Sequence, residues 1–369
     1  MNFDFSEEQK LLQKTARDYL TQHSPLALAR SVLEGGGSHS DELWKGVAEM
    51  GWLGAAVPEE FGGAGFGRLE LALLAQELGR ALAPIPFGPS VYLVTEALLE
   101  YGSDEQRARL LPRLASGELI GTFAYAERPG RLSPDQVTTR YQRGKLSGAK
   151  LPVPDAQIAG LALAVVREGE ALRLALVDLS GQGISAESLE SIDGSRPHGR
   201  LRFENAPAEL LGGDGRDEAA LDHLLDRAAV LMAFEQIGGA ERALEITREF
   251  TLGRYAFGRP IASFQALKHR MADLYAAIQL ATSNAYYGAW ALSTGDPELS
   301  TAACGARTAA CDAFDLAGVE MIQMHGGVGY TWEYDCHLFY RRAKMLSLAL
   351  GGAGEWRERL IQRLEDRGE

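Results

Sequence analysis

Cysteine is scarce in this chain: Cys304, Cys311 and Cys336 are the whole complement of 369 residues. Three thiols cannot build a disulfide framework, and their spacing matches no zinc site, so no metal centre is expected. Cys304 and Cys311 lie seven apart on helical sequence and can share a face, where they read as small buried apolar residues. Basic residues are in deficit, with 37 Lys and Arg against 50 Asp and Glu and a formal charge of -13. That field repels phosphate backbones, and no basic stretch stands apart from it, so nucleic acid is excluded as a partner. An anionic small ligand would need its own local cluster of cations. Long charge-free apolar runs are missing too, so no membrane-spanning helix is expected. The first eight residues, Met1 to Glu8, are acidic. They lack the basic start of a secretory or transit signal, which makes the cytoplasm the expected location.

What is present is an ordinary globular composition, 46% hydrophobic and 24% charged, in a chain longer than one small core needs. Two or three packed units are expected. Residues 1–120 read as helical. Ser6 to Gln9 forms a capping box with Phe5 placed as a staple, and Leu11, Leu12, Ala16, Tyr19 and Leu20 then keep helical spacing. Asp41 is the expected cap of a later helix. A long apolar helix from about Leu69 to Ala83 is broken by Pro84, Pro86 and Pro89. From Gly121 the pattern changes. Leu172 to Asp178 and Gly199 to Glu204 partly alternate, and turn residues fall between such runs, so residues 121–215 read as a small β-barrel or sandwich. Residues 216–369 return to helical periodicity. Four long helices, near 217–253, 261–294, 298–324 and 335–364, predict an antiparallel bundle. The fold class is α+β: helices, a β middle, helices again.

Two segments of the last part carry chemistry. Arg254-Tyr255-Ala256-Phe257-Gly258-Arg259-Pro260-Ile261 runs on to Ser263-Phe264-Gln265, and Gln323-Met324-His325-Gly326-Gly327-Val328-Gly329 runs on to Tyr330-Thr331-Trp332-Glu333. Each sets a guanidinium or carboxamide beside glycines that let backbone approach a ligand closely. As a pair, in this order on helical sequence, they resemble the flavin-binding halves of the acyl-CoA dehydrogenase family, and the resemblance extends over nearly the full chain. It implies FAD as cofactor, an acyl-CoA substrate and an electron-transfer flavoprotein or similar acceptor. It also implies a homodimer, homotetramer or heterotetramer with a second such chain, because the Arg and the Gln come from a neighbouring subunit. Carried over by residue, Arg254 would pair with the diphosphate, Phe257 and Gln265 would hold the adenylate, and Gln323 with backbone at Gly326 and Gly327 would grip the diphosphate and ribose from the other side. A diphosphate suits a forked cation and exposed amides.

The β-domain counterpart is degenerate. Where the family has Thr-Glu-Pro near the flavin ring, this chain has Ala126-Glu127-Arg128-Pro129, leaving backbone of Tyr125, Ala126 and Glu127 for the pyrimidine edge. The segment that would offer a Trp beside the ring and a hydroxyl at N5 reads Lys150-Leu151-Pro152-Val153-Pro154-Asp155 and has neither.

The family removes an α-proton with a glutamate as hydride leaves the β-carbon. Leu350 stands at the usual position of that glutamate, and Glu355 lies five residues on. The minority position on the first bundle helix falls near Ala228. Glu235, seven residues further, shares its face about 10 Å along the axis. It is set in the apolar sequence Val230-Leu231-Met232-Ala233-Phe234, where an isolated carboxylate is costly and its pKa is expected to rise. Two readings stand for Glu235: the catalytic base, or a structural partner of an arginine such as Arg242. Asp226, beside Arg227, reads as a solvated face, Glu333 as structural or flavin-proximal, and His325 as packing near the cofactor. A displaced base, with small residues at Gly238, Gly239 and Ala349, points to a bulky, branched or steroid-type acyl group. Two other functions fit the resemblance: a supporting subunit of a heteromeric dehydrogenase, and a flavin monooxygenase or nitroalkane-type oxidase on the same fold.

Overall fold

The computed structural model describes residues 5–368; Met1–Asp4, part of the acidic start read above, lie outside the described residues. The first stretch is helical: α1 (Glu7–His23), α2 (Leu26–Gly35), α3 (Asp41–Glu49), α4 (Arg68–Arg80), α5 (Glu96–Tyr101) and α6 (Asp104–Ala115). The capping box of α1 is formed, Ser6 Oγ accepting from the Gln9 N–H at 3.1 Å and Gln9 Oε1 from the Ser6 N–H at 2.9 Å. Phe5 meets Tyr286 edge-on at 5.1 Å rather than the fourth helical residue, which is Lys10. The cap of α3 is Ser40, accepting from the Leu43 N–H, and Asp41 is the first helical residue. Helix α4 stops short of Pro84, with Leu82 at φ 46°. Pro89 does not end helical structure as expected. It sits in the first turn of a buried π-helical segment, Gly88–Thr95, where its missing N–H costs nothing.

The β region is one curled, mixed sheet. Its strands are β1 (Gly121–Ala124), β2 (Arg140–Gln142), β3 (Lys145–Pro154), β4 (Leu161–Glu168), β5 (Ala171–Asp178), β6 (Ile184–Leu189), β7 (His198–Pro207) and β8 (Glu209–Leu210). The order is β6-β7-β3-β2-β4-β5-β8, with β1 parallel to β4. The β3–β7 ladder shifts register between Lys150 and Val153, around Pro152, which has no N–H to give it. Leu146, Val153, Ala164, Val177, Leu201 and Phe203 form the core beneath.

Helices return with α7 (Glu218–Gly253), the hairpin β9 (Tyr255–Ala256) and β10 (Arg259–Pro260), α8 (Gln265–Thr294), α9 (Leu299–His325), α10 (Cys336–Ala349) and α11 (Ala353–Arg367). The expected fourth long helix is therefore two. Gly351, at φ +90°, breaks it, and the indole of Trp356 donates to the Leu350 carbonyl at 3.0 Å across the break.

Packing divides the chain into two discontinuous units. One holds residues up to Ser31, Arg68–Ala83 and everything from Ala229; the other holds Val32–Gly67 and Pro84–Ala228. In the first, α4 and α7 touch backbone to backbone. A Cβ on Gly79 would lie 1.9 Å from the Glu235 carbonyl oxygen, and one on Gly238 would lie 1.8 Å from that of Gln76. A Cβ on Gly239 would lie 2.4 Å from the Phe314 ring. These two glycines of α7 thus admit a helix and a ring, and the room they were expected to leave for substrate is filled.

Candidate functional site

The first motif folds as a two-residue hairpin between α7 and α8. Phe257 (φ 55°) and Gly258 (φ 76°) make its turn, which needs positive φ at both places. A phenylalanine there costs about 1–2 kcal/mol relative to an unstrained backbone, and its side chain is 94% exposed. Its ring meets Phe264 edge-on at 6.2 Å and is otherwise open to a ligand. Arg259 is committed to the Phe264 ring, 4.1 Å from its centroid. Arg254 is exposed, and among the described residues nothing pairs with its guanidinium. The Arg254 carbonyl accepts from the Ile261 N–H at 2.8 Å, closing the loop, and Gln265 follows exposed as the first residue of α8. Arg254, Phe257 and Gln265 therefore share one hairpin–helix junction.

The second motif ends α9. Gln323 is exposed in the last turn, and its carbonyl accepts from the Gly326 N–H. Gly326 adopts φ 63°, ψ -140°, open only to glycine. No atom lies within 4 Å of a Cβ built on Gly326 or Gly327, so the turn is bare backbone. His325 is buried and stacks on Phe250 at 4.1 Å, its Nδ1 on the Met321 carbonyl at 2.7 Å. Burial holds its pKa below the usual histidine value. It lines a shallow cavity of about 260 Å³ with Leu26, Ile246, Phe250, Met321 and Tyr334.

In the other unit, Tyr125 is buried and Ala126 and Glu127 are half-buried. Their acceptors are largely taken. Lys150 Nζ donates to the Tyr125 carbonyl at 3.0 Å and to Glu127 Oε1 at 2.7 Å, and the Leu151 N–H to the Ala126 carbonyl at 2.8 Å. Glu127 also accepts from the backbone N–H of Thr138 and of Thr139, each at 2.8 Å. Burial alone would raise the Glu127 carboxyl, but Lys150 and these donors bring it to about 2. Burial pushes Lys150 down to about 8 against the pull of Glu127. Glu127 is thus a brace for the segment. For the Ala126 and Glu127 N–H groups no acceptor is recorded among the described residues, which leaves donors and not carbonyls to meet a ligand.

Glu235 is 4% exposed on the face of α7 that meets Gly79. Arg242 donates to Glu245 at 3.3 Å. Leu350 is buried, and Glu355 folds back as a capping residue onto the Gly352 N–H at 3.4 Å. Asp226 and Arg227, expected on a solvated face, are 3% and 6% exposed, because Glu96 draws the Arg227 guanidinium inward at 2.7 Å. Glu333 is exposed, while Asp335 accepts from Arg30 at 2.7 Å. All three cysteines are buried free thiols, and no metal-binding cluster occurs among the described residues.

An unpaired guanidinium, two exposed carboxamides, a bare glycine turn and a projecting aromatic ring suit a ligand with a diphosphate and an adenine. Comparison with known proteins names the class. The profile described as "Acyl-CoA dehydrogenase, N-terminal domain" matches residues 6–118, and "Acyl-CoA dehydrogenase, C-terminal domain" matches residues 218–364. The chain belongs to the acyl-CoA dehydrogenase family. Within it, the chain is 35% identical to acyl-CoA dehydrogenase IpdE2 of Mycobacterium tuberculosis, over 91% of each protein. It is 32% identical to a chain of the Tcur3481-Tcur3483 steroid ACAD, with a TM-score of 0.90 over 98% of this chain and 99% of that one. A chain of the ChsE4-ChsE5 complex of Mycobacterium tuberculosis is 26% identical with a TM-score of 0.90, over 99% of each. The protein is accordingly an FAD-dependent oxidoreductase. Bound FAD supplies the hydride acceptor of this chemistry. No helix among the described residues is long and apolar enough to cross a membrane.

Proposed function

We propose that the chain takes part in α,β-dehydrogenation of a bulky, steroid-type acyl-CoA within an assembly that includes a second acyl-CoA dehydrogenase chain. The similarity to a two-chain steroid enzyme over almost the whole length carries this reading. In it, Arg254, Phe257, Gln265, Gln323, Gly326 and Gly327 hold FAD across a subunit boundary, and N–H groups of the Ala126–Glu127 segment meet its ring. Glu235 accepts the α-proton, and electrons leave to an electron-transfer flavoprotein or similar acceptor in the cytoplasm. Anaerobic mixing with straight-chain and steroid side-chain acyl-CoAs tests it: flavin absorbance should bleach fastest with the steroid thioesters, and preference for short straight chains would remove the substrate class.

A second reading makes this chain the supporting subunit. Leu350, and the prolines where a ring-facing hydroxyl belongs, favour it. Purified alone, such a chain would be colourless and unstable, and co-expression with its partner would rescue it.

A further inference from the structure

Arg307, in α9, is fully buried, and among the described residues no carboxylate pairs with it. Nη1 donates to Gln236 Oε1 at 2.5 Å, Nη2 donates to the Leu346 carbonyl, and Nε has no acceptor. The other end of the Gln236 amide is used as well, on Cys311 Sγ at 3.5 Å. The guanidinium is therefore balanced by neutral dipoles alone. Leu346 lies in the last turn of α10, whose carbonyls lack helical partners and form the negative end of the helix dipole. That satisfies two donors, but it does not make a buried cation economical. An apolar side chain of similar volume would usually serve stability as well or better.

The two groups that Arg307 joins explain its presence. Gln236 follows Glu235 on α7. Leu346 lies one helical turn before Leu350, where α10 gives way to the Gly351–Gly352 turn. One guanidinium thus ties the turn of α7 that carries Glu235, two helical turns beyond the Ala228 position, to the end of α10 beside Leu350. Among the described residues, the Gln236 amide has only one other side-chain contact, the weak one with the Cys311 thiol.

We propose that Arg307 is a positioning residue for α-proton removal, fixing the Glu235 turn of α7 against the last turn of α10 and keeping a positive charge in the same core. The inference rests on Glu235 as the acceptor. In the step served, the α C–H bond breaks and its proton passes to a carboxylate oxygen of Glu235. The freed electron pair forms the Cα–Cβ double bond, and the hydride lost from Cβ would go to the acceptor that FAD supplies when bound.

The test uses the holoenzyme, with its partner chain if one is needed, and the acyl-CoA it turns over fastest in the panel above. Wild type, Arg307→Met, Arg307→Lys and Glu235→Gln are compared for kcat, KM, pH profile, exchange of the α-proton in heavy water, flavin content and melting temperature. Arg307→Met should keep its flavin, its KM and its melting temperature, yet lose at least tenfold in kcat and in exchange. A lost buried charge also moves the acidic limb of the rate profile upward by on the order of one pH unit. Arg307→Lys should recover part of the rate. An Arg307→Met enzyme with wild-type exchange and pH profile overturns the proposal, and so does one whose kcat, KM and melting temperature worsen together. If Arg307→Met does not fold, Gln236→Met, which cuts the same tie from the α7 side, is read by the same criteria. Full turnover in Glu235→Gln removes the base reading and the proposal with it, whereas a wild type inert to every thioester removes the proposed activity.

Discussion

At the scale of single residues, the Lys150–Glu127 pair shows how a degenerate cofactor segment keeps its shape. The ammonium is fully buried and the carboxylate nearly so, and a backbone carbonyl and two backbone N–H groups fill their remaining valences. Breaking a pair of this kind from one side strands a buried charge, which typically costs about 3–5 kcal/mol. Glu127→Gln should therefore lower the melting temperature sharply, and Lys150→Met added to it should restore most of the loss. A double variant no more stable than Glu127→Gln would show that Lys150 is not the stranded group. The pH response has a definite sign. The folded Glu127 carboxyl titrates near 2, below the value of about 4.3 for an unfolded glutamate. Its contribution is complete above the unfolded value and is lost as pH falls through the folded one. Hydrogen exchange at the Thr138 and Thr139 amides should thus accelerate between about pH 4.5 and pH 2 in wild type and much less in Glu127→Gln.

At the scale of elements, the α4–α7 crossing depends on absent side chains. Gly79 and Gly238 each face a backbone carbonyl of the other helix. An alanine at either gains up to about 1 kcal/mol of helix propensity, but it must push the helices apart, an overpacking that costs about 1–3 kcal/mol or more. The net expectation is destabilisation by Gly79→Ala or Gly238→Ala, with a double variant losing less than the sum, since the first alanine has already opened the shared crossing. Calorimetric melting of the four proteins decides it, and strict additivity would contradict the crossing. The same region shows what sequence could reveal. Helices α8 and α9 were legible because their apolar residues recur at helical spacing, whereas the hairpin between α7 and α8 was not, since two-residue strands carry no alternation to read. The break between α10 and α11 was hidden, since Leu350 continues the apolar pattern and only Gly351 marks the turn. The sheet was legible where β5 and β7 alternate, but not in its connectivity, which depends on pairings such as β1 with β4 that no local pattern encodes. Among candidate site residues, the exposed ones at the hairpin and at the glycine turn were visible as motifs. The brace at Lys150, the glycine contacts and the Arg307 tie were not, because each depends on a partner far away in sequence.

At the scale of the whole molecule, α8 leaves half of itself uncovered. Leu274, Ile278, Ala281, Ala285 and Leu292 pack inward, while Tyr275, Leu280 and Tyr287 stand 57%, 66% and 41% exposed, and no charged residue occurs from Tyr275 to Tyr287. A chain of formal charge -13 gains solubility from its charged surface, so an uncharged strip with aromatic residues is the surface best suited to association. The proposed cofactor grip needs such a face, because Arg254 and Gln323 are both exposed on the single chain. Leu280→Glu places a charge at the middle of the strip. It should convert the assembly to single chains in light scattering and, if the grip is completed by a neighbour, release FAD in parallel. Screening links the two effects to the acidic surface: in wild type, dilution at low ionic strength should favour dissociation and added salt should oppose it. A Leu280→Glu protein that runs as a single chain yet holds a full equivalent of FAD would show that each chain grips its cofactor alone. One that stays assembled would place the association face elsewhere on the surface.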